Sequence, residues 1–149
     1  MNHQEIMSRL NSALGCLDSA YAHIAKEHGL TYNALMTAFL INESNGITQK
    51  QICSALHLSK STVHSILSPF IKQQYIVLIP GNNNKEKNVV FTENGRAFFL
   101  EAIQNAKDFE NEILTELGEE MCMSLVEAAE SLGRILSKKL PVSTQREMK

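Results

Sequence analysis

A polar stretch near the middle of the chain carries the side chains best suited to recognising another molecule. Apolar side chains at positions 63, 66, 67 and 70 recur every three or four residues, which predicts a helix with one buried face. The opposite face is polar and mildly basic and carries Lys60, Ser61, Thr62, His64 and Ser65. Hydroxyl and imidazole groups can hydrogen-bond base edges in the major groove of DNA, whereas lysine contacts phosphates. The plainer interpretation of this face is a solvated helix surface.

The residues before this helix predict the elements that would hold it. Thr48 can cap a helix, and Gln51 three residues later completes the capping-box pattern. His57 follows where the chain must turn sharply, and histidine tolerates positive φ better than most residues. Ser59 then provides a second N-cap. Two helices joined by a short turn, the second with an exposed polar face, form a helix-turn-helix.

A two-stranded ribbon, or wing, is predicted after the second helix. Residues 76–80 and 88–92 are rich in β-branched and aromatic side chains, and residues 81–84 are typical of a turn. Residues 48–96 hold six basic and two acidic residues, a net charge of +4, whereas the rest holds eight and fourteen, a net charge of −6. Because positive charge is concentrated in this segment, we expect a phosphate-binding surface there. The expected phosphate contacts are Lys50, Lys60, Lys72, Lys85 and Lys87.

The order of these signals resembles the winged-helix transcriptional regulators of the MarR family. The resemblance rests on Gly29-Leu30-Thr31, Thr48-Gln49, Ile52-Cys53, the sequence LSKSTV at residues 58–63, the wing, and FTENGR at residues 91–96. It runs from about residue 30 to residue 103 and, in the order of its helices, extends to both termini. It implies a bacterial, dimeric repressor or activator that binds palindromic DNA and is often released by a small ligand or by oxidation.

Three positions depart from the pattern of that family. MarR-like wings generally carry an Asp and an Arg that reaches into the minor groove, whereas this wing reads Asn84-Lys85-Glu86-Lys87. Gln74 stands where the family usually has Gly before the first wing strand, which implies a different turn. Pro69 lies inside the second helix and is expected to kink or end it, because it removes a backbone donor.

Length and composition limit the class of protein. A chain of 149 residues with 44% hydrophobic and 20% charged residues is typical of an ordinary globular protein with one domain or a compact two-part protomer. It has no apolar run near 18 residues and no basic leader followed by a cleavable apolar stretch, so we expect a cytoplasmic protein without membrane association.

Long amphipathic helices are predicted outside the helix-turn-helix. Residues 4–26, the segment after Thr92, and residues 119–140 carry apolar stripes too large for the winged unit to cover alone. We therefore predict a mainly α fold of the α+β kind, a winged helix-turn-helix with long N- and C-terminal dimerisation helices. The expected division is a helical dimerisation region at 1–29 and 104–141, a DNA-binding domain at 30–103, and a tail at 142–149. Such a homodimer would set the polar-faced helices of its two copies, the recognition helices, about 34 Å apart, one turn of B-DNA.

A ligand site and a redox site are two further hypotheses. Tyr21, Phe98, Phe99 and Met121 could line a cavity for a small aromatic effector, although such stripes are more often plain core. Cys16 lies on a presumed dimer helix and could sense oxidation, although it has no obvious cation nearby and packing is the plainer interpretation.

Catalytic and metal sites are not indicated. Cys53 and His57 are four residues apart, but no third ligand is evident, and three widely spaced cysteines do not suggest a disulfide framework. We predict no enzymatic activity, metal or cofactor. The alternatives to a sequence-specific regulator are a winged-helix module that binds proteins, a regulator that senses redox state through a thiol, and an enzyme with a cysteine nucleophile.

Overall fold

The computed structural model of this protein describes residues 1–82 and 85–140. Its helices are α1 (His3–Glu27), α2 (Tyr32–Glu43), α3 (Gln49–Leu56), α4 (Lys60–Lys72), α5 (Glu93–Leu117) and α6 (Glu119–Lys139). Its strands are β1 (Ile47–Thr48), β2 (Ile76–Pro80) and β3 (Lys87–Phe91). Asn84, Pro141 and the predicted tail at 142–149 lie outside the described residues.

The three strands form one small antiparallel sheet with β3 in the centre. Leu78 of β2 and Ile47 of β1 both lie opposite Val89 of β3. The ribbon of β2 and β3 is present as predicted, but the sequence analysis missed β1. Two residues are too few to show alternation, and β1 exists because β3 offers it a second edge. The predicted fold class, mainly α with a winged helix-turn-helix, is confirmed.

Helix caps fix where each segment begins. Thr31 Oγ1 accepts from Ala34 N–H at 3.1 Å at the start of α2, and Thr92 Oγ1 accepts from Gly95 N–H at 3.0 Å at the start of α5. Each cap satisfies a backbone donor that has no partner within its helix. Gly29, with φ 70°, follows the end of α1 in the left-handed conformation that glycine adopts without strain.

The core joins the helix-turn-helix to the sheet and to the inner parts of α1 and α5. Its largest fully buried side chains belong to five elements and include Phe99, Leu35, Ile52, Leu67, Val63 and Val89. Phe99 of α5 lies at the centre of an aromatic cluster, with ring centroids 5.1 Å from Phe70 of α4 and 5.0 Å from Phe91 of β3. This packing holds the recognition helix and the wing against one rigid support.

Glycine at position 95 allows α5 to begin directly against the turn between α4 and β2. A Cβ added to Gly95 would lie 1.7 Å from the backbone oxygen of Tyr75. The same oxygen accepts from Thr92 N–H at 3.1 Å, and Thr92 Oγ1 donates to Gln74 O at 2.6 Å. The start of α5 is therefore bonded to the turn at a distance that only glycine permits.

Pro69 does not end α4, so the expectation that the helix would stop there is wrong. The helix continues to Lys72, and Gln73 N–H donates to Pro69 O at 3.0 Å. Proline at this position removes the backbone donor that would otherwise bond Ser65 O, and the residues after it are anchored. Phe70 provides that anchor: its ring packs on Phe99, and its carbonyl accepts from Tyr75 N–H at 2.9 Å.

Both terminal regions carry apolar side chains that the single chain leaves exposed. Within Glu119–Lys139, which is wholly described, no residue is buried. The exposed apolar side chains of α1 and α6 are Ile6, Met7, Leu14, Leu17, Met121, Met123, Leu125, Val126, Ile135 and Leu136. Among the described residues, none of the helices combines the length and apolar character needed to cross a bilayer.

Candidate nucleic-acid interface

The turn between α3 and α4 sets the direction in which α4 leaves the core. A capping box begins α3: Thr48 N–H donates to Gln51 Oε1 at 2.9 Å, and Gln51 N–H donates to Thr48 Oγ1 at 3.1 Å. His57 ends α3 in the left-handed conformation, with φ 54° and ψ 42°. Leu58 N–H then closes the turn by donating to Cys53 O at 3.1 Å. The predicted capping box and the predicted sharp turn at His57 are both confirmed.

The two faces of α4 differ as the sequence predicted. Val63 and Leu67 are fully buried against the core. On the opposite face, Lys60, Ser61, His64 and Ser65 are exposed and Thr62 is half-buried. The structure therefore presents hydroxyl, imidazole and ammonium groups together on one accessible surface of a helix, which is the composition that can meet phosphates and base edges.

Several hydroxyl groups on this face already have partners in the protein. Ser59 Oγ accepts from Thr62 N–H at 3.2 Å and lies 3.2 Å from Ser61 Oγ and 2.8 Å from Thr62 Oγ1. Ser65 Oγ donates to Ser61 O at 3.0 Å. Ser65 therefore uses its hydrogen inside the helix and keeps its lone pairs for an external donor.

The five lysines predicted to contact phosphates are all exposed and border this face and the wing. Lys50 lies in the first turn of α3, Lys60 and Lys72 lie at the two ends of α4, and Lys85 and Lys87 lie beside and at the start of β3. These lysines give the exposed surface of α3, α4 and the wing positive charge, the sign that binds phosphates.

The four residues proposed to bind a ligand lie in separate places. Phe98 and Phe99 belong to the aromatic cluster at the start of α5, where the Phe98 ring stacks on Tyr75 at 4.3 Å. Tyr21 belongs to α1 and packs beside Phe109, which lies ten residues after Phe99 on α5. Met121 is exposed on α6. In the single chain these side chains do not enclose one common cavity.

Tyr21 joins α1 to α5 through a polar contact. Its hydroxyl donates to Glu110 Oε1 at 2.5 Å. Burial raises the pKa of Tyr21 well above its usual range, and the hydrogen bond to the Glu110 carboxylate raises this pKa further. This side chain therefore serves as a neutral donor between two helices.

A cavity that the sequence analysis missed lies behind the recognition helix. It has a volume of about 300 Å³. Its described lining combines the junction of α1 and α2 with the inner edge of α4 and consists of Gly29, Leu30, Thr31, Ala34, Thr62, Ser65, Ile66, Pro69 and Phe70. The four residues proposed as ligand-binding are not among them. Thr62 and Ser65 border both this cavity and the exposed face of α4.

The three cysteines occupy different environments. Cys16 is exposed on α1, Cys53 is buried in the helix-turn-helix, and Cys122 is half-buried on α6. His57, the residue proposed as a possible partner of Cys53, is exposed on the turn. Across residues 1–82 and 85–140, no three His, Cys, Asp or Glu side chains are grouped so as to hold a metal ion.

Comparison with known proteins identifies the segment that carries this surface. Residues 28–84, from the end of α1 to the turn of the wing, match the model of the MarR family. This segment, less than half of the chain, is similar to MarR-family domains. No curated protein matches the sequence.

Solved MarR structures share the fold over nearly the whole chain. A MarR family regulator from Neisseria meningitidis is 19% identical, with a TM-score of 0.78 over 93% of this chain and 96% of that one. A MarR/EmrR family regulator from Acinetobacter sp. ADP1 is 16% identical, with a TM-score of 0.76 over 93% and 99%. Staphylococcus aureus MarR, solved with salicylate and kanamycin, is 14% identical, with a TM-score of 0.73 over 92% and 93%. The MarR-type fold therefore includes α1, α5 and α6.

The substitution at position 74 keeps a backbone that suits the MarR glycine. Gln74 adopts φ 63°, in the left-handed region that glycine enters without strain. Position 74 therefore has a conformation typical of glycine, and the difference of this turn from that of the family stays a prediction. The other departure, the lysine-bearing wing, includes Asn84 and so lies partly outside the described residues.

Proposed function

We propose that this protein is a transcriptional regulator that binds duplex DNA in a sequence-specific manner. The observation that carries the proposal is the exposed face of α4, where Lys60, Ser61, His64 and Ser65 meet solvent while Val63 and Leu67 anchor the helix in the core. In a helix-turn-helix, this is the surface that enters the major groove. A regulator of this kind acts on chromosomal DNA in the cytoplasm and needs no catalytic group, metal or cofactor.

A homodimer formed through α1, α5 and α6 is the second part of the proposal. Leu125, Ile135 and Leu136 of α6 keep 51–55% of their surface exposed in the single chain. Apolar side chains in such a continuous stripe favour association. A second copy of the chain supplies the same stripe, so a two-fold arrangement covers both at once.

The dimer sets the proposed binding site on DNA. Two copies of α4 related by a two-fold axis would enter successive major grooves on one face of the duplex, about 34 Å apart. The matching operator is a palindrome with half-site centres about one helical turn apart. The dimer would present ten lysines of the predicted set, five from each protomer, to the phosphates on both sides.

Repression relieved by a small ligand is the third part. The cavity of about 300 Å³ behind α4 supports it, because Thr62 and Ser65 belong both to its wall and to the face proposed to contact bases. A small aromatic molecule in this cavity would shift α4 relative to the core and weaken DNA binding. S. aureus MarR was solved with salicylate, which shows that one protein of this fold binds an aromatic compound.

Selection from a random duplex library tests the function. The wild-type protein should enrich a palindrome and bind it more tightly than a scrambled duplex of the same length. Replacing Thr62 or His64 by Ala should weaken binding to the palindrome by about 1–3 kcal/mol for each lost base contact, with little effect on scrambled DNA. Gln104→Ala, an exposed change on α5, serves as the control. Equal affinity for palindromic and scrambled DNA would contradict the proposal.

A further inference from the structure

Three hydroxyl groups meet at the first turn of α4 and share too few lone pairs to act independently. Ser59 Oγ accepts from Thr62 N–H at 3.2 Å, which uses one of its two lone pairs. The same oxygen lies 2.8 Å from Thr62 Oγ1 and 3.2 Å from Ser61 Oγ. Ser59 therefore accepts a hydrogen from at most one of these two hydroxyls. When both contacts are hydrogen bonds, it donates its own hydrogen to the other.

This arrangement gives the two neighbouring hydroxyls opposite roles. The hydroxyl that donates to Ser59 has no hydrogen left and presents only lone pairs outward. The hydroxyl that accepts from Ser59 keeps its own hydrogen for an external acceptor. Ser61 and Thr62 are thus coupled as one acceptor and one donor, and rotation of the Ser59 hydroxyl exchanges the roles.

We infer that Ser59 is a positioning residue for DNA recognition, which acts by fixing the hydroxyls of Ser61 and Thr62 as a matched donor and acceptor at the leading edge of α4. The inference rests on the proposed function and extends it beyond the residues that face the bases. Free hydroxyls rotate and fit either base pattern, whereas the coupled pair fits best where one base edge donates and a neighbouring one accepts. Ser59 therefore contributes to specificity as well as to the N-cap of α4.

Substitution at position 59 separates the two roles. Ser59→Gly removes the hydroxyl but costs a helix N-cap only a few tenths of a kcal/mol. Ser59→Thr keeps both the cap and the hydroxyl. Thr92→Ala provides the matched stability control, since it removes an N-cap hydroxyl of the same kind from α5, outside the three-hydroxyl cluster.

The measurement is the ratio of Kd for a scrambled duplex to Kd for the selected palindrome, taken at one salt concentration together with Tm. Since one hydrogen bond lost in each half-site weakens specific binding by about 1.4 kcal/mol in total, Ser59→Gly should lower the ratio about tenfold. Ser59→Thr should keep the wild-type ratio, and Thr92→Ala should lower Tm without changing the ratio.

Two results would overturn the inference while leaving the proposed function intact. If Ser59→Gly keeps the wild-type ratio, Ser59 is a cap and nothing more. If Thr92→Ala lowers the ratio as far as Ser59→Gly does, the loss follows stability and not hydroxyl coupling. A wild-type ratio near one for every duplex selected would instead overturn the proposed function, and the inference with it.

Discussion

Replacing Lys60 by alanine should reduce the salt dependence of DNA binding by a calculable amount. Five exposed lysines border the recognition helix and wing of each protomer, so a dimer offers at most ten phosphate contacts. Each neutralised phosphate contributes about −0.9 to the slope of log K against log salt concentration, which sets a limit of about −9 for the wild type. Lys60→Ala removes two contacts from the dimer and should change the slope to about −7.

Fluorescence anisotropy with a labelled duplex measures this slope between about 50 and 200 mM salt, a range over which the variant should lose about tenfold less affinity than the wild type. Lys138→Ala in the last turn of α6 removes the same charge outside the helix-turn-helix and wing. Equal slopes for Lys60→Ala and Lys138→Ala would show that Lys60 contacts no phosphate. A wild-type slope near zero would favour a winged-helix module that binds proteins.

Three further changes test the packing, the α1–α5 contact and the dimer. Gly95→Ala should lower the free energy of unfolding by about 3 kcal/mol and Tm by roughly 10 °C, since its Cβ would lie 1.7 Å from Tyr75 O. In Tyr21→Phe, the free energy of unfolding should fall less steeply above pH 10 than in the wild type. The raised pKa of Tyr21 stabilises the folded state below the phenol's usual pKa, and this contribution is lost at higher pH. Leu136→Glu should give a light-scattering mass of one chain instead of two, because it places charge in the exposed apolar stripe of α6.

Each of these changes has its own control or opposing result. Gly133→Ala, where an added Cβ meets nothing within 4 Å, should stabilise α6 by about 0.5–1 kcal/mol in thermal melts. If Gly95→Ala has the same Tm as the wild type, the close approach of position 95 to Tyr75 does not require glycine. If Tm falls equally in the wild type and in Tyr21→Phe between pH 9 and pH 11, the ionisation of Tyr21 does not affect the stability of the fold. A Leu136→Glu protein that remains dimeric would place the interface elsewhere.

Local signals explain why so much of the helix-turn-helix could be predicted from sequence. Thr48, His57 and Ser59 each act within a few residues of their own position, as a cap or as a left-handed turn. The apolar spacing of α4 likewise depends only on the helical period, so the exposed face could be identified without tertiary information. The same reasoning found the apolar stripes of α1 and α6, which remain exposed in one chain.

Features that depend on distant segments could not be predicted. Strand β1 forms because β3 offers an edge about 40 residues later in the sequence. The close approach of Gly95 to Tyr75 depends on how α5 meets a turn twenty residues earlier. The cavity combines residues 29–34 with residues 62–70, whereas the sequence-based ligand set gathered aromatic side chains by type and not by position. In each case the missing information is tertiary contact.

Hydroxyl-radical footprinting of the wild-type protein on the selected duplex tests the central claim most directly. Two exposed faces of α4, held about 34 Å apart by a symmetric dimer, should protect two patches on one side of the DNA, with centres about 10 base pairs apart. The pattern should be symmetric about the centre of the palindrome. A single protected patch, or uniform protection along the duplex, would contradict the claim that this protein reads DNA with two copies of that face.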